Sequence, residues 1–211
     1  MTLSHRTQTI LWGAGLALVG VLIGLLVHAM GPSNSLDKWW IELRVAARND
    51  ALTSIATALD WVGGGWRAIL AIPLIIIAVL ALMRRWWSAG YLVAALLLSV
   101  ALVQTLKTLF ARARPEDILV ASDFGSFPSG HVANATTLTV VLMVLFPHIV
   151  TRIVGVFWIV MMAWSRTYLG AHWLTDTIGG VLIGIGAAVI MLGVFLPRLR
   201  REQDERHTAP V

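Results

Sequence analysis

Six long apolar runs constrain this chain more than any other feature. They fall at residues 10–30, 66–83, 88–110, 132–146, 149–169 and 174–196. About 20 apolar residues in helical form span the hydrocarbon core of a bilayer. In that medium every backbone polar group must be bonded internally, so each run is expected as a helix. Of 211 residues, 58% are hydrophobic and only 13% are charged, against about 25% charged in soluble proteins. The expected fold is therefore all-α, a six-transmembrane-helix bundle. It forms one membrane domain over residues 1–197, followed by a short, charged, disordered cytoplasmic tail at 198–211. There is no cysteine, which excludes disulfides and thiolate chemistry. The net charge of +5 reads as the basic bias of cytoplasmic loops rather than as a nucleic-acid surface.

The first run is longer than the apolar core of a signal peptide, so it is expected as an uncleaved span. Gly20 and Gly24 in it form a small-xxx-small pair suited to close helix packing. Residues 31–64 differ. Leu36, Trp40, Leu43 and Ala47 share one helical face, and Asp37, Lys38, Glu42, Arg44 and Arg48 share the other. That pattern predicts an extracytoplasmic amphipathic helix lying in the interface between spans 1 and 2. Gly63-Gly64-Gly65 then breaks the chain. Trp39, Trp40, Trp61, Trp66, Trp86, Trp87 and Trp173 gather near predicted span ends, as in an aromatic belt.

In a six-span arrangement, Arg6, Arg84, Arg85, Arg152, Arg198, Arg200, Arg201 and Arg206 fall on one side. The positive-inside rule makes that side cytoplasmic, with both termini inside. Lys107, Arg112, Arg114 and Arg166 fall at the opposite face, close to span ends. Basic residues in or beside spans are costly to keep and usually functional.

Three segments at that face carry chemistry. In the first, Lys107 and Arg114 lie two helical turns apart, so their heads can converge, and Pro115 ends the span. An ammonium and a guanidinium fork meeting at one point suit a dianionic phosphate. The second is Pro128-Ser129-Gly130-His131, opening the fourth span. A helix start offers unpaired N–H groups to an anion, and His131 at its edge can protonate a leaving oxygen. The third runs from Ser165-Arg166 to His172 and Asp176. If the last helix begins near His172, then Asp176 stands one turn along on the same face. There it would hold the imidazole tautomer and leave the other nitrogen free to attack. Each segment alone is weak. Together they form a phosphoryl-transfer apparatus, in which the basic trio binds the equatorial oxygens, His172 becomes phosphohistidine and His131 protonates the leaving alcohol.

These motifs resemble the type 2 phosphatidic acid phosphatase and vanadium haloperoxidase superfamily. Its K-x6-RP, PSGH and SR-x5-H-x3-D signatures match Lys107 to Pro115, Pro128 to His131 and Ser165 to Asp176. The resemblance implies a metal-independent enzyme without cofactor, with His172 as nucleophile, His131 as acid, Asp176 as their partner, and Lys107, Arg114, Ser129, Gly130 and Arg166 around the phosphate. It is similar to the small bacterial lipid phosphatases. That implies a multi-pass protein of the bacterial inner membrane with its site facing the periplasm or exterior. The expected substrate is a lipid phosphate or pyrophosphate. Undecaprenyl pyrophosphate is favoured, with phosphatidylglycerol phosphate or phosphatidate as alternatives. The expected partners are the lipid substrate and the bilayer, with no nucleic acid and no obligate protein partner.

Two rivals were weighed. His131, His172 and Asp176 are ligand types of a metal site, but three converging cations would repel a metal ion. A transporter would need polar groups at mid-membrane, and the polar stretch Asn134, Thr136, Thr137 and Thr139 reads instead as helix packing. Asp60 and Arg67 are expected to pair across the glycine break. Glu116, Asp117 and Asp123 are expected as solvated loop charges.

Overall fold

The structure, a computed structural model, describes residues 3–31 and 34–208. The described residues form helices and connecting loops, with no strand. Helix α1 (His5–Ala29) is followed by α2 (Ser35–Ala46), α3 (Asp50–Gly63), a π-helical turn (Arg67–Ala71) leading into α4 (Ile72–Leu82), α5 (Trp86–Phe110), α6 (Gly130–Leu145), α7 (Ile149–Tyr168) and α8 (Leu174–Thr208). Short polar side chains start the first three. Ser4, Asn34 and Asn49 accept the N–H groups of Thr7, Asp37 and Leu52, satisfying donors that a helix start leaves orphaned.

Four helices are long and apolar enough to cross a membrane: α1, α5, α7 and α8. A fifth span is available if α3 and the π–α4 arm, bent by 47° at the Gly64 region, count as one broken span. The apolar helix α6, at 16 residues, is shorter. The bundle thus has four long spans plus a bent pair and a short helix, not six plain spans. The run at 66–83 is only the second arm of the bent pair. Its first arm, α3, was hidden in the sequence because Thr53, Ser54, Thr57 and Asp60 make it read as polar. In the structure those three hydroxyls bond back to carbonyls four residues earlier, which removes most of their polarity from the helix surface.

Helix α8 is the central column, packed by α1, α5 and α6. Between lipid-immersed helices the hydrophobic effect is small, so close backbone approach through small residues does much of the work. Gly20 lies against Ile183 and Leu182, and Gly24 against Phe110 and Phe127, as their spacing suggested. On the opposite side of α1, Leu11, Trp12, Leu18, Leu22 and Leu26 are exposed, the pattern of a lipid-facing surface. Tyr91, Leu92, Val141 and Ala188 form one buried cluster. Val27, Phe110, Phe127 and Ile183 form another. Thr137 bonds to Ser99, Ala133 and Gly184 across three helices, and Asn134 reaches the Ala68 carbonyl. The polar stretch of α6 therefore does pack helices together.

Two features depart from expectation. Helix α2 is amphipathic, but two members of its charged stripe turn inward while Lys38 and Glu42 stay exposed. Asp37 and Arg44 are buried, while Leu36, Trp39 and Leu43 are exposed. The segment after residue 197 is also not disordered, because α8 continues through Pro197 to Thr208. Glu202 accepts the backbone N–H groups of Trp87 and Ser88, at 2.6 and 3.2 Å, and the Ser88 hydroxyl at 2.5 Å. A carboxylate at the start of α5 satisfies its orphan donors and its dipole, which docks the end of α8. Residues 209–211 lie outside the described residues.

Candidate active site

The C-terminal ends of α5 and α7 and the N-terminal ends of α6 and α8 meet at one end of the bundle. The loop of residues 111–129 closes over them. Left-handed backbone at Ala111 (φ 44°) ends α5 and turns the chain into this loop. Gly125 (φ 69°) lies against the Lys107 carbonyl and Gly170 (φ 71°) against that of Asp117, so each combines a conformation glycine favours with too little space for a side chain.

His172 sits between α7 and α8, 2% exposed. Its Nδ1 lies 2.8 Å from the Ser126 carbonyl. A carbonyl can only accept, so Nδ1 carries the proton and neutral Nε2 keeps its lone pair. Nε2 faces the basic cluster, 3.4 Å from Arg114 Nη1. Burial first, then Arg114, Arg166, Lys107 and His131, push the His172 pKa well below its usual value. The ring is held neutral and basic groups surround its free nitrogen. Contacts join these residues, distant in sequence, into one cluster: Arg114 touches His172 and shares Asp123 with Lys107, and Lys107, His131 and Arg166 line one cavity.

Asp176 corrects an expectation. It does not hydrogen-bond to His172, since its Oδ2 is 3.6 Å from Nδ1. Instead Oδ2 accepts the Trp173 N–H at 2.9 Å and Oδ1 meets Arg112 at 2.5 Å. The reason is the start of α8 at Leu174 rather than at His172, which puts Asp176 in the first turn, facing the helix's own orphan donors. The Ser126 carbonyl takes the ring-orienting position. Arg112 also contacts Asp37 at 2.7 Å and Thr175 at 2.8 Å, and Asp37 accepts the Thr175 N–H at 2.9 Å. Asp37 and Asp176 are both 0% exposed, so Arg112 is a buried cation shared by two buried carboxylates behind the histidine. Sequence reasoning marked Arg112 only as a basic residue on an unexpected face, and it left Asp37 among surface charges.

Lys107 and Arg114 converge as their spacing suggested, and both converge on Asp123. Lys107 Nζ lies 2.8 Å from each carboxylate oxygen and Arg114 Nη2 2.6 Å from Oδ1. Arg114 also donates to Gly125 at 2.9 Å and to the Ala171 carbonyl, tying the loop to the His172 segment. Asp123 is thus bonded to the basic pair, not merely a solvated charge. Burial alone would raise its pKa, but Lys107 and Arg114 hold it below the usual carboxylate value. Asp117 is likewise engaged, clasped by Arg44 at 2.6 Å and Arg48 at 2.9 Å. Arg44 also reaches the Tyr168 carbonyl, so α2 pins the loop to the end of α7.

Arg166 is buried and ion-paired with Asp60 of α3, whose Oδ1 is also 3.4 Å from His131 Nε2. Asp60 does not pair with Arg67, which donates to the Trp61 carbonyl and lies over the Trp61 ring at 4.0 Å. The bend after α3 explains this. Gly64 lets the backbone pass so close to His131 Nε2 that a Cβ there would collide with it, and this delivers Asp60 to the cluster. Ser129 caps α6 through its carbonyl, which accepts the Ala133 N–H at 3.0 Å, and its side chain makes no cap bond. Its N–H goes to the Asp176 carbonyl at 3.0 Å, and its buried hydroxyl has no partner. Gly130 and His131 line a cavity of about 320 Å³ together with Lys107, Asp123, Arg166 and the glycine break. No group of three or more His, Asp or Glu suited to a metal ion occurs among the described residues.

Similarity to known proteins extends beyond these segments. A phosphatidylglycerophosphatase B of Bacillus subtilis (strain 168) is 28% identical over 183 residues, 81% of this chain and 88% of that protein. An undecaprenyl-diphosphatase of Sulfolobus acidocaldarius is 30% identical over 116 residues, 51% of this chain and 55% of that protein, so that match spans about half of each. Among solved structures, a transmembrane PAP2 type phosphatidylglycerolphosphate phosphatase from Bacillus subtilis superposes with a TM-score of 0.74 at 25% identity, covering 88% of this chain and 96% of its own. Aquifex aeolicus LpxE superposes with a TM-score of 0.67 at 28% identity, covering 76% of this chain and 97% of its own. The PAP2 superfamily model matches residues 88–200, from near the start of α5 through the three motif segments into α8, and the chain belongs to that superfamily.

Proposed function

We propose that this PAP2-type membrane lipid phosphatase works through a phosphohistidine at His172. The observation that carries the reading is the His172 ring itself, with Nδ1 bonded to the Ser126 carbonyl and Nε2 3.4 Å from Arg114. Nε2 attacks phosphorus while the bond to the leaving oxygen breaks, and His131 gives that oxygen a proton. Water then attacks the phosphohistidine and His131 takes back a proton, releasing inorganic phosphate and free imidazole. Lys107, Arg114 and Arg166, with the Gly130 backbone and the Ser129 hydroxyl, neutralise the equatorial oxygens. These cations supply the charge that Mg²⁺ supplies in other phosphoryl-transfer enzymes, so no metal is needed. Asp176 acts at one remove. Fixed by Arg112, it stabilises the positive ring that forms when Nε2 is phosphorylated.

The substrate is a lipid phosphate or pyrophosphate. The relatives include enzymes named for phosphatidylglycerophosphate and for undecaprenyl diphosphate, so undecaprenyl pyrophosphate no longer ranks first, and the more fully matched relatives favour phosphatidylglycerol phosphate. In our reading the bent pair and α6 complete six crossings. Both termini are cytoplasmic, residues 115–128 and α2 lie on the periplasmic or outer face, and the exposed Leu36, Trp39 and Leu43 of α2 rest in the interface beside the site. The protein then belongs in the bacterial inner membrane, with its phosphate site at headgroup depth. The test is phosphate release by purified protein in detergent with EDTA, across phosphatidylglycerol phosphate, undecaprenyl pyrophosphate, phosphatidate and a short soluble ester. Lipid-preferring turnover in EDTA supports the reading. Loss of turnover restored by one metal, or equal efficiency on the soluble ester, defeats it.

A further inference from the structure

We propose that Asp123 is an internal occupant of the phosphate site, which every incoming phosphate dianion must displace and which therefore sets the affinity of that site. The inference rests on the proposed phosphatase reading. It starts from the two cations that the motif assigns to phosphate. Lys107, 4% exposed, has both oxygens of Asp123 at 2.8 Å, and Arg114 holds one of them at 2.6 Å. A carboxylate chelated by an ammonium and a guanidinium is the arrangement a phosphate dianion would adopt with the same groups. Asp123 lines the same cavity as His131 and Arg166.

The alternative is a permanent structural ion pair, and the position of Asp123 argues against it. The carboxylates that brace the site from behind, Asp37 and Asp176, are 0% exposed, whereas the Asp123 side chain is 61% exposed. It stands on the loop of residues 111–129, beside Gly125 at φ 69°. The loop is anchored on both sides of it, by Asp117 to Arg44 and Arg48, and by the Ser126 N–H to the Arg112 carbonyl at 2.9 Å. The Asp123 carboxylate can swing away from the cations without unseating either anchor, its backbone carbonyl staying on Arg114 Nε at 3.1 Å. It departs into water at little cost, while Lys107 and Arg114 cannot stay buried without an anion. Exchange of Asp123 for a phosphate dianion replaces one negative charge by two, which the two cations neutralise. Binding is weakened by the strength of the displaced pair, and release of inorganic phosphate after turnover is assisted by the returning carboxylate.

The test measures the affinity of purified full-length chain in detergent for inorganic phosphate by calorimetry, and the KM for phosphatidylglycerol phosphate, in wild type, Asp123→Asn, Asp123→Ala and Lys107→Ala. Removing a competitor held by charge-assisted hydrogen bonds should tighten both quantities about tenfold or more in both Asp123 variants, with Lys107→Ala weakening both. Unchanged or weaker phosphate binding in the Asp123 variants overturns the proposal. So does an effect confined to the lipid, because Asp123 would then act on the rest of the headgroup. If Lys107→Ala leaves phosphate binding intact, the phosphatase reading of the cluster fails as well. If it abolishes binding while the Asp123 variants behave as wild type, only this inference fails.

Discussion

Replacing Arg112 by leucine tests how the histidine is supported. Arg112 joins Asp37 and Asp176 at 2.7 and 2.5 Å, and all three side chains are 3% exposed or less. Solvent cannot compensate for its loss. Removing one partner of a buried ion pair typically costs 3–5 kcal/mol, because a charge is left uncompensated. Here two carboxylates are left, at the N-terminus of α8, which softens the penalty by up to about 1 kcal/mol. The expected loss is therefore about 2–4 kcal/mol, or about 10 °C in melting temperature for a chain of this length. The Asp37→Asn exchange removes one of the stranded charges in advance. The double variant should recover at least about 1 kcal/mol relative to the sum of the single effects. The assay is thermal unfolding in detergent of wild type, both single variants and the double variant, with turnover measured in parallel. A loss under about 1 kcal/mol, or strictly additive effects, would refute the claim that these charges form one buried unit.

Other consequences follow from the same contacts. Asp60→Asn should lower kcat about 10²-fold with the fold intact, because Arg166 and His131 lose their common anchor; steady-state kinetics alongside a melting curve would show it, and wild-type kcat would remove Asp60 from the site. Glu202→Ala should cost about 1–2 kcal/mol by uncapping α5, read as a lower melting temperature at unchanged KM. Asp117 is held below its usual pKa because Arg44 and Arg48 outweigh the effect of its burial. Its folded pKa lies below the unfolded one, so its contribution is present above the unfolded value, near 4, and is lost as pH falls through the folded value. Spin labels at Trp39→Cys and Leu119→Cys should therefore separate only in acid, and at neutral pH once Asp117→Asn is added; a distance indifferent to both would exclude this latch.

The sequence was most informative where periodicity or motif spacing has a single physical meaning. Apolar length located α1, α5, α7 and α8, and the glycine spacing of α1 marked it for close packing, without naming the partner. Of the motif residues, Arg114 lies 3.4 Å from His172 and shares Asp123 with Lys107, while Lys107, His131 and Arg166 line one cavity. What stayed hidden were partners brought by tertiary geometry. Asp60 arrives through a bend whose angle no local pattern encodes. Asp37 and Arg44 looked like a solvated stripe, because a polar helix face reads the same whether it meets water or buried counter-charges. Asp176 stands beside His172 as the i, i+4 spacing suggested, 3.6 Å from Nδ1, but without the expected hydrogen bond. The i, i+4 argument placed it on His172 by assuming a helix across both, and α8 begins two residues too late for that. The end of α8 was read as tail because composition registers its charge and not the uncapped α5 terminus that receives Glu202.

Trapping the intermediate tests the central claim most directly. Purified protein is mixed with phosphate-labelled lipid substrate in EDTA, quenched in alkali, where phosphohistidine survives, and digested for mass spectrometry. The mechanism predicts a labelled peptide carrying the phosphate on His172, destroyed by acid, abundant in His131→Ala if release becomes slow, and absent from His172→Ala. Label on any other residue, or an acid-labile phosphoenzyme that persists in His172→Ala, would contradict it.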